Sequence, residues 1–170
     1  VAVSPSPMAS FLVGIACLGE AVTFTNTSTL NGGGQITQYL WDFDDPSSGS
    51  NSSNVPNPTH LFSAVGSYNV SLKTTNSNGC SNTYTIIPPL LVSPKPTVDF
   101  TYQYGTQNWE ILFHSLANPL FVGNNQVWDF GDGIFGYGPN PSHVYQGPGN
   151  FLVTLTVTDF TTGCSASIQK

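Results

Sequence analysis

The chain has no arginine, and its only lysines are Lys73, Lys95 and Lys170. Charged residues make up 7% of the 170 and the formal net charge is −6, against about a quarter charged in an ordinary soluble protein. A chain so poor in cations cannot neutralise a run of phosphates, which excludes nucleic acid as a partner. Glutamate is almost as scarce: Glu20 and Glu110 stand at nearly matching positions of an internal repeat. They are therefore counterparts, and not the facing carboxylate pair that a glycosidase needs. Gly-x-Ser-x-Gly is missing too, so the expectation is a segment with no enzyme activity and no cofactor.

Long apolar runs are also lacking. Nothing approaches the roughly 20 residues that a membrane helix requires, so direct membrane insertion is not expected. Met8 to Cys17 imitates an export signal ending in a lipidated cysteine. It has no basic leading region, and Gly14 occupies the place where a lipobox needs a large aliphatic residue; a β-strand is the better expectation. No segment shows a 3.6-residue apolar period. What is abundant is Ser, Thr, Asn and Gln for the surface, with 39% apolar and 12% aromatic residues, enough for packed cores and too much for disorder.

The strongest internal signal is duplication. Val3-Ser4-Pro5-Ser6-Pro7 recurs as Val92-Ser93-Pro94-Lys95-Pro96, and Phe11, Val22 and Phe24 recur as Phe100, Ile111 and Phe113. Trp41-Asp42-Phe43 matches Trp128-Asp129-Phe130, His60 and Phe62 match His143 and Tyr145, and Gly79-Cys80 matches Gly163-Cys164. The prolines of the Val-Ser-Pro-x-Pro element fix φ and remove amide donors, giving a short stiff connector. Two domains are predicted, residues 1–93 with a leading linker 1–7, and residues 94–170. The same connector opens the chain, so a further module is expected before it, and neighbouring repeats of the same chain are the expected partners.

Within each copy the apolar period is two. Tyr68, Val70 and Leu72, and again Phe151, Val153, Leu155 and Val157, alternate with polar residues, which places them on one face of a sheet. Short strands separated by Gly, Asn, Pro and Ser turns predict an all-β chain of two antiparallel two-sheet sandwiches. Trp41 and Trp128 are the expected centres of the two cores.

The run Trp128-Asp129-Phe130-Gly131-Asp132-Gly133, followed by Pro141-x-His143-x-Tyr145 and Gly149-x-Phe151-x-Val153-x-Leu155, resembles the signature of PKD (polycystic kidney disease) domains, which occur in bacterial surface and secreted repeat proteins. The resemblance implies an immunoglobulin-like sandwich that serves outside the cell as a spacer or interaction module. The first copy departs from it with Asp44-Asp45-Pro46, where Pro46 forbids the glycine-type turn. The polar loop Ser47 to Asn54 stands where the second copy has Ile134-Phe135-Gly136-Tyr137-Gly138. Cys17 and Cys80 bracket the first copy as in disulfide-bearing relatives, which implies a Cys17–Cys80 bond. Thr106 replaces Cys17 in the second copy, leaving Cys164 as a buried small residue or a thiol that pairs outside the segment.

Asp42, Asp44, Asp45, Asp129 and Asp132 have the oxygen chemistry for calcium, but the alternating ligand spacing and terminal Glu of an EF-hand are absent. They are expected to accept backbone amides at strand-to-turn junctions. His60 and His143 lack zinc-spaced partners and are expected to bond the acidic turn or a backbone carbonyl, while His114 faces outward. Phe135 and Tyr137 are the candidate ligand contacts, with Tyr102, Tyr104 and Trp109 as further exposed aromatics, although such aromatics more often cover a sheet edge or the seam between domains. The expected role is a non-catalytic module of an extracellular or cell-surface protein such as an adhesin, stalk or filament. The alternative is an accessory module of a secreted polysaccharidase or peptidase that contacts polysaccharide or another surface protein. Self-association through edge strands or Cys164 is a third reading.

Overall fold

Alternating apolar and polar residues with no helical period fold into short strands joined by turns. A computed structural model describes residues 5–32, 34–118 and 125–170, so the leading linker 1–7 is described only from Pro5. The chain divides into two compact units, Val1–Pro94 and Lys95–Lys170.

The first unit contains β1 (Phe11–Val13), β2 (Ala16–Cys17), β3 (Ala21–Asn26), β4 (Ile36–Asp42), β5 (Ser52–Ser53), β6 (Thr59–Leu61), β7 (Gly66–Tyr68), β8 (Ser71–Asn76), β9 (Ser81–Thr85) and β10 (Leu90–Ser93). They form sheets ordered β1-β3-β6, β2-β10-β7 and β5-β4-β8-β9. The stretch that mimics an export signal supplies β1 and β2. One pairing departs from the antiparallel expectation: β2 and β10, at opposite ends of the unit, run parallel with Ser93 beside Cys17. Parallel neighbours need a long crossover, and here nearly the whole unit provides it. The expected Tyr68 to Leu72 strand is also broken. The chain leaves β10 after Tyr68 and joins β4 and β9 from Ser71, yet Tyr68, Val70 and Leu72 all remain buried.

The second unit contains β11 (Phe100–Tyr104), β12 (Glu110–Ser115), β13 (Asn125–Asp129), β14 (Phe135–Tyr137), β15 (Ser142–Val144), β16 (Thr154–Thr158) and β17 (Ser165–Gln169), in sheets ordered β11-β12-β15 and β14-β13-β16-β17. Both units are immunoglobulin-like sandwiches, antiparallel apart from the β2–β10 pair, each closed around its own core. Trp41 lies opposite Leu72 and Trp128 opposite Leu155, and all four are fully buried. Phe11 and Phe24 pack on Trp41 with ring centroids at 5.0 and 5.5 Å; Phe100 and Phe113 repeat this on Trp128 at 5.0 and 5.3 Å. Each indole N–H reaches a carbonyl across its own sheet, Trp41 Nε1 donating to Val55 O (3.0 Å) and Trp128 Nε1 to Gly138 O (2.8 Å), so neither tryptophan buries an unmet donor.

The acidic turns after Trp41 and Trp128 solve one backbone problem in two ways. Gly131 has φ +80°, and a Cβ there would approach the Leu152 carbonyl oxygen to 2.7 Å. Its counterpart Asp44 also takes a positive φ, 59°, and is held by accepting the Asn69 amide and Nδ2 on its carboxylate at 2.9 and 3.0 Å. Pro46 then opens a short 3₁₀ turn, Pro46–Ser48, as the missing glycine requires. Gly131→Ala is expected to destabilise the second unit by about 2 kcal/mol, from left-handed backbone and the Leu152 clash together. Urea denaturation followed through Trp128 measures it.

Candidate functional site

The side chains with the most chemical potential turn inward. Asp45 leaves the turn after β4 and meets His60 on β6, with Oδ2 and Nε2 3.1 Å apart; Asp132 and His143 on β15 meet at 2.7 Å. An ionised carboxylate only accepts, so each Nε2 carries the proton it donates. Each imidazole is sandwiched as well. Phe43 stacks on His60 at 4.2 Å and 9°, with Phe62 edge-on at 4.6 Å, and Phe130 and Tyr145 treat His143 in the same way at 4.2 and 4.5 Å. Asp45 further accepts the Ser63 amide at 2.9 Å and the Ser63 hydroxyl, and Asp132 accepts the Ile134 amide at 3.1 Å.

Burial alone would raise the Asp45 carboxyl, but the Ser63 hydroxyl and amide and the His60 ring together outweigh it and hold its pKa below the ordinary carboxylate value. Asp132 behaves alike, burial raising it and the His143 and Ile134 hydrogen bonds bringing it down. The Tyr145 phenol is pushed up to about 12, by burial first and the Asp132 charge second. It donates to Phe130 O at 2.9 Å. Asp42 and Asp129 hold their own turns, accepting the amides of Asp44 (3.0 Å) and Gly131 (2.9 Å). Among the described residues no group of three His, Cys, Asp or Glu side chains is placed to hold a metal ion. Ser63 and Asn69 carry no repeat signal and were invisible in the sequence. Phe43, Phe62, Phe130 and Tyr145 were visible there as aligned aromatics, but not as the faces that clamp the histidines.

The Cys17–Cys80 bond does not fit this topology and is corrected. Cys17 lies beside Ser93, one step past the β10 residue that pairs with Gly66. Cys80 lies past the other end of the Gly66 to Asn76 run, where its amide donates to Asn76 Oδ1 at 3.0 Å. Cys17 is disulfide-bonded, but not to Cys80. Cys164 has no exposed surface.

Two surfaces of the second unit present aromatics. Phe135 and Tyr137 flank Gly136 on the edge strand β14 and are 55% and 71% exposed. They share one face because side chains alternate along a strand, while Gly136 lies against the Phe130 ring, which leaves no room for a Cβ. Next to them on that face lie Val127 and Asp129, then Thr154 and Thr156 of β16. The other surface is a cleft of about 630 Å³ with Tyr102, Tyr104, Trp109, Glu110 and Phe151 in its walls. The expected exposed aromatics Tyr102, Tyr104 and Trp109 therefore come together. His114 is exposed, with Nδ1 bonded to Asn140 Oδ1.

Two sandwiches in tandem, each with one buried tryptophan and an inward Asp–His pair, define an immunoglobulin-like repeat module. The PKD domain profile matches residues 4–87 and 122–170, and the chain belongs to that family. A microbial collagenase of Vibrio alginolyticus is 38% identical over 68 residues, which are 40% of this chain and 8% of that protein. Polycystin-1 of Homo sapiens is 26% identical over 124 residues, 69% of this chain and 3% of that protein. The chain thus spans only a small part of the curated relatives it matches. The crystal structure of the PKD1 domain from the Vibrio cholerae metalloprotease PrtV is 31% identical and covers 52% of this chain and 99% of its own, with a TM-score of 0.45.

Proposed function

We propose that the two units form a non-catalytic accessory segment of an extracellular protein, a spacer that sets the distance between whatever adjoins it. The observation that carries this is the inward use of the two repeated His and their Asp partners: Asp45, His60, Asp132 and His143 spend their hydrogen bonds and ring faces inside their own units. The matched stretch is also a small fraction of proteins as different as a collagenase and polycystin-1, as a reusable module would be. Pulling the chain by its ends tests the reading. With the cysteines reduced, two unfolding steps are expected, each releasing about 25–35 nm of chain at some 3.5 Å per residue; gradual extension without resistance overturns it.

Phe135 and Tyr137 favour the second reading, a contact with polysaccharide or protein, because they form an exposed aromatic pair that the first unit lacks; Ser52 stands opposite Asp42 where Phe135 stands opposite Asp129. Phe135→Ala with Tyr137→Ala is expected to abolish any glycan-array signal of the chain while changing stability by less than about 0.5 kcal/mol, as surface substitutions do. A wild-type chain silent on glycan and protein arrays removes this reading.

A further inference from the structure

One edge of the second unit lacks the devices that usually guard a sheet. β14 pairs on one side with β13, Val127 opposite Tyr137, Trp128 opposite Gly136 and Asp129 opposite Phe135, and the order β14-β13-β16-β17 leaves its other side open. The hydrogen bonds fix which main-chain groups face out. Phe130 N donates to Ile134 O at 3.1 Å and Gly138 N to Gln126 O at 3.0 Å, so Ile134, Gly136 and Gly138 turn their main chains toward β13. In an antiparallel ladder the residues between them point the other way. The N–H and C=O groups of Phe135 and Tyr137 therefore face off the sheet, and among the described residues nothing bonds them.

Edge strands are commonly blunted by shortness, charge or proline. The first unit follows that rule, since β5 is only Ser52–Ser53, with Pro56 soon after. β14 does not: from Gly133 to Gly138 there is neither charge nor proline, and Phe135 and Tyr137 are exposed. The strip is also its own complement. Turned about a two-fold axis at Gly136, it lies antiparallel to itself with Phe135 opposite Tyr137 of the second copy, twice over. In that register all the unpaired groups of Phe135 and Tyr137 on both copies are used, in four hydrogen bonds. Two aromatic pairs meet across the strands, and only glycine stands at the axis, where paired chains approach most closely.

We infer that β14 is a docking edge for a second copy of this chain, joining two four-stranded sheets into one of eight. The inference rests on the reading of Phe135 and Tyr137 as a contact surface and names the partner. A sugar would use the rings alone, whereas a like strand uses the rings and the open main chain together. The strip runs only from Ile134 to Gly138, so the contact is smaller than the ~800 Å² per partner of a standard interface and half-association is expected at roughly 0.1–1 mM chain.

Sedimentation equilibrium of the 170-residue chain up to about 1 mM tests this, with amide hydrogen exchange read by NMR over the same range. Dimers are expected, and exchange at the Phe135 and Tyr137 amides should slow about twofold or more as they form, while Gly136, already bonded to β13, stays unchanged. Phe135→Lys with Tyr137→Lys should weaken association at least about tenfold and move the melting midpoint by less than about 2 °C. A dimer that the lysines leave intact, or that forms without slowing exchange at these two amides, overturns the inference. So does a chain that stays monomeric at about 1 mM. If that monomer still gives an array signal that Phe135→Ala with Tyr137→Ala abolishes, the inference falls and the contact reading stands; if it is silent on the arrays, both fall.

Discussion

Trp128→Ala is expected to cost the second unit about 3–5 kcal/mol, the range for removing a large buried aromatic from a packed core. Three effects add. The indole is fully buried, its ring is the surface on which Phe100 and Phe113 pack edge-on or tilted, and its N–H is the donor that meets Gly138 O. Truncation leaves a cavity that β-sheet hydrogen bonding keeps from collapsing, and leaves that carbonyl without its partner. A domain of this size has a total stability of about 5–15 kcal/mol, so the second unit loses a large share of it. Urea denaturation followed by circular dichroism gives the midpoint. A change below about 1 kcal/mol would show that the core is not organised around this ring.

Asp45→Ala should destabilise the first unit by about 3 kcal/mol. Its carboxylate is buried and serves His60 Nε2, the Ser63 amide and the Ser63 hydroxyl at once; removing it strands the buried His60 donor and takes the acceptor from both Ser63 donors. Asp132→Ala should cost less, about 1–2 kcal/mol, because its side chain retains 16% exposure and water can replace part of what is lost. Acid should act through the same groups. Both carboxyls titrate below their ordinary value in the folded chain, so their contribution is complete above about pH 4, the unfolded carboxylate range, and is lost as the pH falls through the lower folded value. Melting midpoints between pH 5 and pH 2 should therefore drop for the wild type, and drop less for Asp45→Asn, which begins less stable and has one fewer proton to take up. Parallel acid curves for the two proteins would place the acid sensitivity elsewhere.

The Asp–His pairs give the family signature a structural role. The motif Trp-Asp-Phe-x-Asp, with a histidine some 11 to 15 residues further on, builds a clamp: the first Asp fixes the turn, the Phe and the next aromatic enclose the imidazole, and the second Asp receives its proton. Every member is consumed inside the unit. The variable part is the stretch between them, Ser47 to Asn54 in one unit and Ile134 to Gly138 in the other, and it reaches the surface, where loops tolerate change and meet partners.

What the sequence determined by itself was whatever is written locally and twice. Duplication at near-constant spacing set the number of units, alternation set which face of each strand is buried, and the matched Trp, Asp and His positions marked the residues on which each unit is built. Alternation reports a side chain's face but not its neighbour, because strand pairing joins residues remote in the chain. Only the tertiary structure could show that Cys17 does not pair with Cys80, and that Tyr102, Tyr104, Trp109 and Phe151 share one cleft. Register and closure belong to the assembled sheets, and no single strand encodes them.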